Sequence, residues 1–401
     1  MKHTLDIAIA GAGIGGLTAA AALARSGHHV QVFDRFEAPR PVGSGLVIQP
    51  VGQQVLAEIG AIKTALAHGR PIWRMHGIEA ISGRDVLKVD YGPEQGDRFG
   101  LAIQRPALFD AVLDAAMQAG ATLVPAHQIN DQKDGHLLFD GAAPAGPFDL
   151  IIDALGANSC LSPLQGKALP FGAIWATVPW SDALSLPRGQ LSQRYRRADR
   201  MVGIMPSGTR PGDATDSATI FWSLPADGLE TWRAAGLEVW LDDVEALWPE
   251  AMPIFSQITD ADQMTFARYT HGTLASTTAP GFAIIGDAAH RASPQLGQGA
   301  NMAMLDAMAL ATAVDLFPLD EALRQYRMAR RWHVWIYQTM SRAFTPQYQS
   351  NSRFLPVLRD RLLYPLSTVP PIPRILNRLV CGDLIPPMAS LSGNLTEKSG
   401  K

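Results

Sequence analysis

The chain predicts a mixed α/β (α+β) fold. An open, largely parallel sheet with its helices is interrupted by a mostly antiparallel β-sheet domain and followed by a helical C-terminal region. Three observations carry this expectation. An apolar run ends in a glycine-rich turn and an Ala/Leu-rich stretch near the N-terminus. Residues 167–273 are dense in tryptophan, proline and alternating segments. A second glycine-rich turn runs into a strongly helical sequence near residue 299.

Along the chain, Leu5 to Ala10 reads as a buried strand, Ile14 to Ser26 as a helix stopped by Gly27, and His29 to Phe33 as the next strand, a βαβ unit. Residues 72–91 alternate around Ser82-Gly83 and predict a hairpin. Pro106 to Ala119 predicts a helix with proline in its first turn. Phe148 to Ala154 and Gly281 to Ile285 read as buried strands, Thr219 to Leu224 as part of the antiparallel sheet. Gly299 to Val314 and Asp320 to Phe344 read as helices. The expected division is 1–71, 99–166 and 274–335 for the first domain, 72–98 and 167–273 for the second, and 336–401 for the C-terminal region.

The 401 residues are 47% hydrophobic and 18% charged, as suits a globular enzyme with a large core. A net charge of −3 argues against nucleic acid as partner. Arg194, Arg196, Arg197 and Arg200 read as a solvated strand or loop face. Cys160 and Cys381 lie far apart without a ligand set, so neither a disulfide framework nor a metal site is expected, and a cytoplasmic setting fits. Residues 344–388 hold Arg353, Arg359, Arg361, Arg374 and Arg378 among Leu, Phe and Pro. Such a basic amphipathic segment suits either an anionic membrane surface or a cap packed on the two domains.

Two motifs carry chemistry. In Gly11-Ala-Gly13-Ile14-Gly-Gly16, Gly11 permits the tight turn, Gly13 lets backbone approach a pyrophosphate, and Gly16 lets helix and strand pack closely. Asp34 follows at the end of the next strand, where an acid accepts bonds from ribose hydroxyls. The second motif reads Gly286-Asp287-Ala-Ala-His290, Pro294, then Gly297-Gln-Gly299-Ala300-Asn301. An acid at a strand end and N–H groups at a helix start suit a flavin and its charge on reduction.

With these motifs in this order the sequence resembles the class A flavoprotein monooxygenases, the family of para-hydroxybenzoate hydroxylase and the ubiquinone-biosynthesis hydroxylases. The resemblance covers residues 5–50, about 98–165 and 275–335. It implies a Rossmann-like FAD-binding domain with a sheet domain for substrate. The implied reaction is hydroxylation of an aromatic or quinone-like molecule with NAD(P)H and O₂ through a flavin C4a-hydroperoxide. An FAD oxidoreductase without oxygenation and an FAD-binding accessory subunit are the alternatives.

By that resemblance Asp34 binds ribose, with Arg35 beside the adenosine. Arg105 reaches the FAD, Asp287 holds the ribityl and pyrophosphate portion, and Pro294 and Gly299 border the flavin ring. Gly43, Gly45 and Val47 belong to the loop flanking the ring. Gly297, Ala300 and Asn301 complete the second motif, and His290 is expected to be structural. In the family's third motif Gly156 and Ser159 are kept, but Leu155 and Ser162 stand where an acid and an arginine are usual. Asp153 is the nearest substitute, and direct reduction by NAD(P)H is expected to suffer more than FAD binding. Tyr195, Met205 and Trp222 are the expected substrate contacts, with His271 and Tyr269 as candidate bases for a phenol.

Overall fold

The structure is a computed structural model and describes residues 4–37, 44–93, 95–388 and 391. The predicted βαβ unit is there, as strand Asp6–Ala10, helix Ile14–Arg25 and strand His29–Phe33. It lies in a six-stranded sheet whose order is 278–279, 282–284, 150–153, 6–10, 29–33 and 122–124. The four pairings from 282–284 across to 122–124 are parallel, and only the 278–279 edge runs antiparallel. Parallel strands covered on both faces are apolar throughout, which is why Ile7, Ile9, Ile151 and Ile152 are all buried. Helices Ile14–Arg25 and Gly299–Leu316 pack on this sheet, with small residues such as Ala19, Ala20, Ala307 and Ala311 in a common core.

The second large sheet has eight strands in the order 290–291, 265–273, 167–179, 213–225, 200–210, 190–196, 74–79 and 85–90. It is antiparallel except where 190–196 meets 74–79. The predicted hairpin forms as Arg74–Glu79 and Asp85–Asp90. Residue 72 closes a different strand, Arg70–Ile72, which joins Leu46–Ile48 and Gly100–Ile103 in a small three-stranded sheet. Along the sequence its strands flank that hairpin, two before it and one after. The hairpin of Ile129–Lys133 and His136–Phe139 had no clear periodicity in the sequence.

One face of the eight-stranded sheet is closed by helices Leu229–Ala235 and Leu237–Leu247. Their Trp232 and Trp240 stack edge to face with each other, and Trp240 with Trp222. The arginine cluster departs from the expected solvated face. Arg194 lies over the Trp248 ring and Arg200 over the Trp222 ring, because a guanidinium is weakly hydrated and stacks on indole.

Helix Leu319–Tyr348 then leads to short helical pieces up to Cys381. Among the described residues no helix is long and apolar enough to cross a membrane. No group of three or more His, Cys, Asp or Glu among them is placed to hold a metal ion.

Candidate active site

A cavity of about 930 Å³ runs between the two large sheets. At one end it is lined by Gly13, Ile14, Gly45, Val47, Arg105, Gly156, Asp287, Pro294, Gly297, Gly299 and Ala300. Sequence reasoning had assigned all of these to cofactor or flavin ring, and the fold brings them together from five separate segments.

The three glycines of the first motif occupy three different environments. Gly11 has φ +104°, and a Cβ there would stand 2.7 Å from Ala154 O. At Gly16 a Cβ would collide with Gly11 O, so helix and strand could not close on each other. At Gly13 a Cβ would meet nothing within 4 Å, because that side faces the cavity. The same openness holds at Gly156 and Gly299.

The helices that begin at Ile14 and Gly299 have no side-chain cap. Their first N–H groups are therefore available to anionic oxygens of a ligand. Arg105 Nε is buried without a hydrogen-bond partner. Burial pulls the guanidinium's pKa down, and the charge of Asp287 opposes that pull. Asp287 is exposed to the cavity but surrounded by protein. Burial pushes its carboxyl above the usual range, while His290, Arg105 and Arg291 pull it down. A phosphate chain and a hydroxylated linker fit this end: three glycine faces that a Cβ would fill, two uncapped helix starts, an orphaned guanidinium and a carboxylate.

Other assigned residues stand back from the cavity lining. Asp34 accepts from Ala12 N (2.8 Å) and Phe36 N (3.1 Å), so its carboxylate shapes the glycine turn itself. Arg35 is exposed over the Phe36 ring. Asn301 is fully buried, and its polar atoms are taken by protein. Oδ1 accepts from Gln49 N (2.8 Å), and Nδ2 donates to Val47 O (3.1 Å) and Gly297 O (2.9 Å). It staples the two loops that line the cavity. Gly43 lies outside the described residues.

His290 is part of a buried hub. Asp306 accepts from Gly286 N (2.9 Å), from Arg330 Nε (2.7 Å) and pairs with His290 Nε2 (2.6 Å). Burial alone would push the Asp306 carboxyl up, but His290 and Arg330 hold it well below the usual carboxylate range. Arg330 also donates to Pro387 O, and His333 Nε2 bonds Gly382 O at 2.9 Å. The hub thus joins the second glycine motif to the C-terminal segment.

In the altered third motif Asp153 accepts from Leu155 N (3.0 Å) and Ser159 Oγ (2.6 Å). Burial pushes this carboxyl up, partly offset by those two donors. Ser162 Oγ donates to Ala288 O at 2.6 Å. A network of hydroxyls and one buried carboxylate thus occupies the segment around Leu155 and Ser162.

At the other end the cavity is lined by Met75, Trp175, Gln193, Tyr195, Met205 and Phe221 among others. Tyr195 and Met205 were expected. Trp222 is corrected: alternation on strand Asp213–Pro225 sends it to the opposite face, into the tryptophan cluster, and presents Phe221 to the cavity. Phe221 stacks on Trp175 with ring centroids 4.7 Å apart. Trp175 Nε1 donates to Tyr269 Oη at 2.9 Å, and burial pushes that phenol far up. Tyr269 is therefore a hydrogen-bond donor in this cavity and not a base. His271 is also corrected. It does not line the cavity, and its Nε2 accepts the Ser293 N–H at 2.8 Å, which uses its lone pair.

Sequence reasoning missed Gln193, Gln295 and the C-terminal contributors Tyr348, Arg359, Leu363 and Tyr364. The alternation of Gln193 and Tyr195 on strand Gln190–Arg196 could have found the first. Nothing local marks the others.

Residues 196–347 match the family described as FAD binding domain, and residues 9–45 match NAD(P)-binding Rossmann-like domain. A probable 2-heptyl-3-hydroxy-4(1H)-quinolone synthase of Rhodococcus erythropolis is 29% identical over 80% of this chain and 83% of its own. An FAD-dependent urate hydroxylase of Klebsiella pneumoniae is 27% identical over 80% and 85%. Among solved structures, a mutant of 2-methyl-3-hydroxypyridine-5-carboxylic acid oxygenase superposes with a TM-score of 0.76 at 21% identity, covering 90% of this chain and 97% of its own. A variant of Klebsiella pneumoniae HpxO complexed with FAD gives 0.76 at 20% identity, covering 95% and 100%.

Proposed function

We propose that this chain, a class A flavoprotein monooxygenase that binds FAD, hydroxylates an aromatic or quinone-like small molecule with NAD(P)H and O₂ in the cytoplasm. One observation carries the reading. A single cavity of about 930 Å³ joins the glycine-lined end, which fits FAD, to an end lined by aromatic and apolar side chains. Relatives named for quinolone synthesis and urate hydroxylation support the substrate class.

FAD, when bound, supplies the redox chemistry, accepting a hydride from a nicotinamide and activating O₂. The protein's share is binding, orientation and exclusion of water. Gly13, Gly156 and Gly299 leave room for close approach, and the helix starts at Ile14 and Gly299 neutralise negative charge. Arg105 and Asp287 would hold the chain between the cofactor's two ends. Pro294 presents no N–H to the cavity and so keeps that wall free of a competing donor. Trp175, Phe221, Met205 and Met75 form an apolar wall beside Gln193, and Tyr269 supplies one hydrogen bond to a substrate oxygen. Neither Tyr269 nor His271 is placed to take a proton. Neither residue is therefore assigned as the base for a phenol.

The departure at Leu155 and Ser162 belongs to the same proposal. A charge-assisted bond contributes roughly 1.5–3 kcal/mol. Its absence is expected to make reduction by NAD(P)H slow until substrate is bound.

The test is turnover under isotopically labelled O₂ with a panel of aromatic and quinone-like compounds, together with anaerobic stopped-flow reduction. Labelled oxygen in a ring hydroxyl is the expected result. Reoxidation that yields only peroxide would make the protein a flavin oxidoreductase without oxygenation. No reduction by NADH, NADPH or a partner reductase would make it an accessory subunit.

A further inference from the structure

Residues 353–378 have two faces with opposite tasks. Leu363, Tyr364, Leu366, Ile372 and Leu376 line the cavity. Phe354, Val357, Leu362, Val369 and Ile375 do not line it, yet all are exposed, Phe354 by 69% and Val369 by 52%. Leu366 lines the cavity and is itself 46% exposed. The outward apolar side chains therefore form the outer skin of the cavity wall.

The orientation of this cap is fixed. Arg359 is buried, with its guanidinium 5.3 Å from the Tyr195 ring centre and 5.0 Å from that of Tyr348. Its Nη1 donates to Arg197 O (3.1 Å) and Gln347 O (2.8 Å), and its Nε to Asp360 (2.6 Å). Arg353, Arg361 and Arg374 remain exposed, as does Arg378, which also pairs with Asp383. The only acid between 353 and 378 is Asp360, already engaged by Arg359. A protein with net charge −3 thus carries its cationic residues in local excess on this skin.

We propose that this outer face docks on an anionic lipid bilayer and that the cavity takes an apolar ring substrate from it. Exposed large apolar side chains interleaved with arginines match a layer of acyl chains under anionic headgroups. A second copy of the chain fits less well, because a two-fold interface would set the same four arginines against each other. The delivery of substrate rests on the proposed function, whereas the docking itself does not.

The experiment uses the full chain with FAD bound. It is sedimented with vesicles of phosphatidylcholine alone and of phosphatidylcholine mixed with phosphatidylglycerol. Binding to the mixed vesicles, weakened by salt, is expected. Each arginine near such a surface is worth about fivefold in affinity, so Arg361→Gln with Arg374→Gln should weaken binding about 25-fold. Phe354→Asp with Val369→Asp should abolish it. FAD content and absorbance spectrum report that both variants are folded, since none of these four side chains lines the cavity. Docking is overturned if the full chain stays in the supernatant with mixed vesicles, or if both variants bind as the parent does. It is equally overturned if light scattering shows a dimer that the Asp variant dissociates while vesicle binding is absent. Vesicle binding with no hydroxylation of any compound would sink the proposed function and leave the docking intact.

Discussion

At the end of the cavity proposed for the cofactor the protein offers mostly backbone. Gly13, Gly156, Gly297 and Gly299 line it, two helix starts point into it, and Asp34, Asn301 and Asp306 act by holding that backbone in shape. At the end proposed for the substrate it offers side chains, Trp175, Phe221, Met205 and Tyr269, carried on paired strands of the eight-stranded sheet. Backbone geometry tolerates few substitutions, because a Cβ in the wrong place displaces a strand or a helix. A side chain on a pleated sheet can be exchanged for another of similar volume without moving the strand. One end can thus stay constant while the other changes its ligand.

The sharpest way to break this contrast is the hub beneath the second glycine motif. Asp306→Ala leaves Arg330 buried and unpaired and frees Gly286 N. Removing one partner of a buried ion pair costs about 3–5 kcal/mol. Thermal unfolding should show that loss, with FAD released at lower temperature. If the variant melts like the parent, the hub does not hold the loop.

Next in size is Gly16→Ala against Gly13→Ala. The first forces a Cβ against Gly11 O and should cost about 1–3 kcal/mol of stability. The second places its Cβ in open space and should leave the melting temperature of the FAD-free protein unchanged while weakening FAD binding. Equal effects on both quantities would erase the distinction between a packing glycine and an approach glycine.

A smaller effect concerns acid. Burial, with Arg330 nearby, lowers the His333 pKa from 6.5 to about 3. The unfolded chain therefore binds a proton that the folded chain refuses between these values. Stability from this group is fully present above pH 6.5 and is lost progressively as the pH falls toward 3. His333→Gln should flatten the stability curve across that window in urea titrations at several pH values. An unchanged slope would mean that His333 takes up a proton without strain.

The smallest change is at the other end. Met205→Leu conserves volume and should cost less than about 1.5 kcal/mol, with FAD affinity unmoved and KM for the substrate shifted. A loss of FAD in this variant would show that the two ends are not separable.

The same contrast explains what could be read before the structure. Gly11, Gly13, Gly16, Gly286 and Asp287 are legible because turns, close approaches and helix starts need particular residue types at particular spacings. The parallel sheet and its helices are legible for the same reason. Substrate contacts are set by strand register, and one step along a strand reverses the face. That step separates Trp222, which is core, from Phe221, which faces the cavity. Arg359 and Tyr348 come from far along the chain and enter the site only through tertiary packing, which no local pattern encodes. Asn301 shows a subtler limit. The motif predicts that it binds the cofactor, but its side chain bonds Gln49, Val47 and Gly297 and does not line the cavity.

The interleaving of the two large sheets has a consequence for how the chain acquires its shape during synthesis. Strand Leu150–Asp153 must pair with Ile7 to Ala10 on one side and with Phe282 to Ile284 on the other. Strand Gln190–Arg196 must pair with Arg74–Glu79, more than a hundred residues earlier. Neither sheet can close as the ribosome delivers it, since each waits for a segment that lies beyond part of the other. The nascent chain therefore carries unpaired strand edges until about residue 291 has emerged, a high-contact-order topology in which closure entropy must be met before long-range contacts reward it. Chaperone demand should concentrate in that interval, and truncations that end within it should be degraded rather than accumulate as half-enzymes.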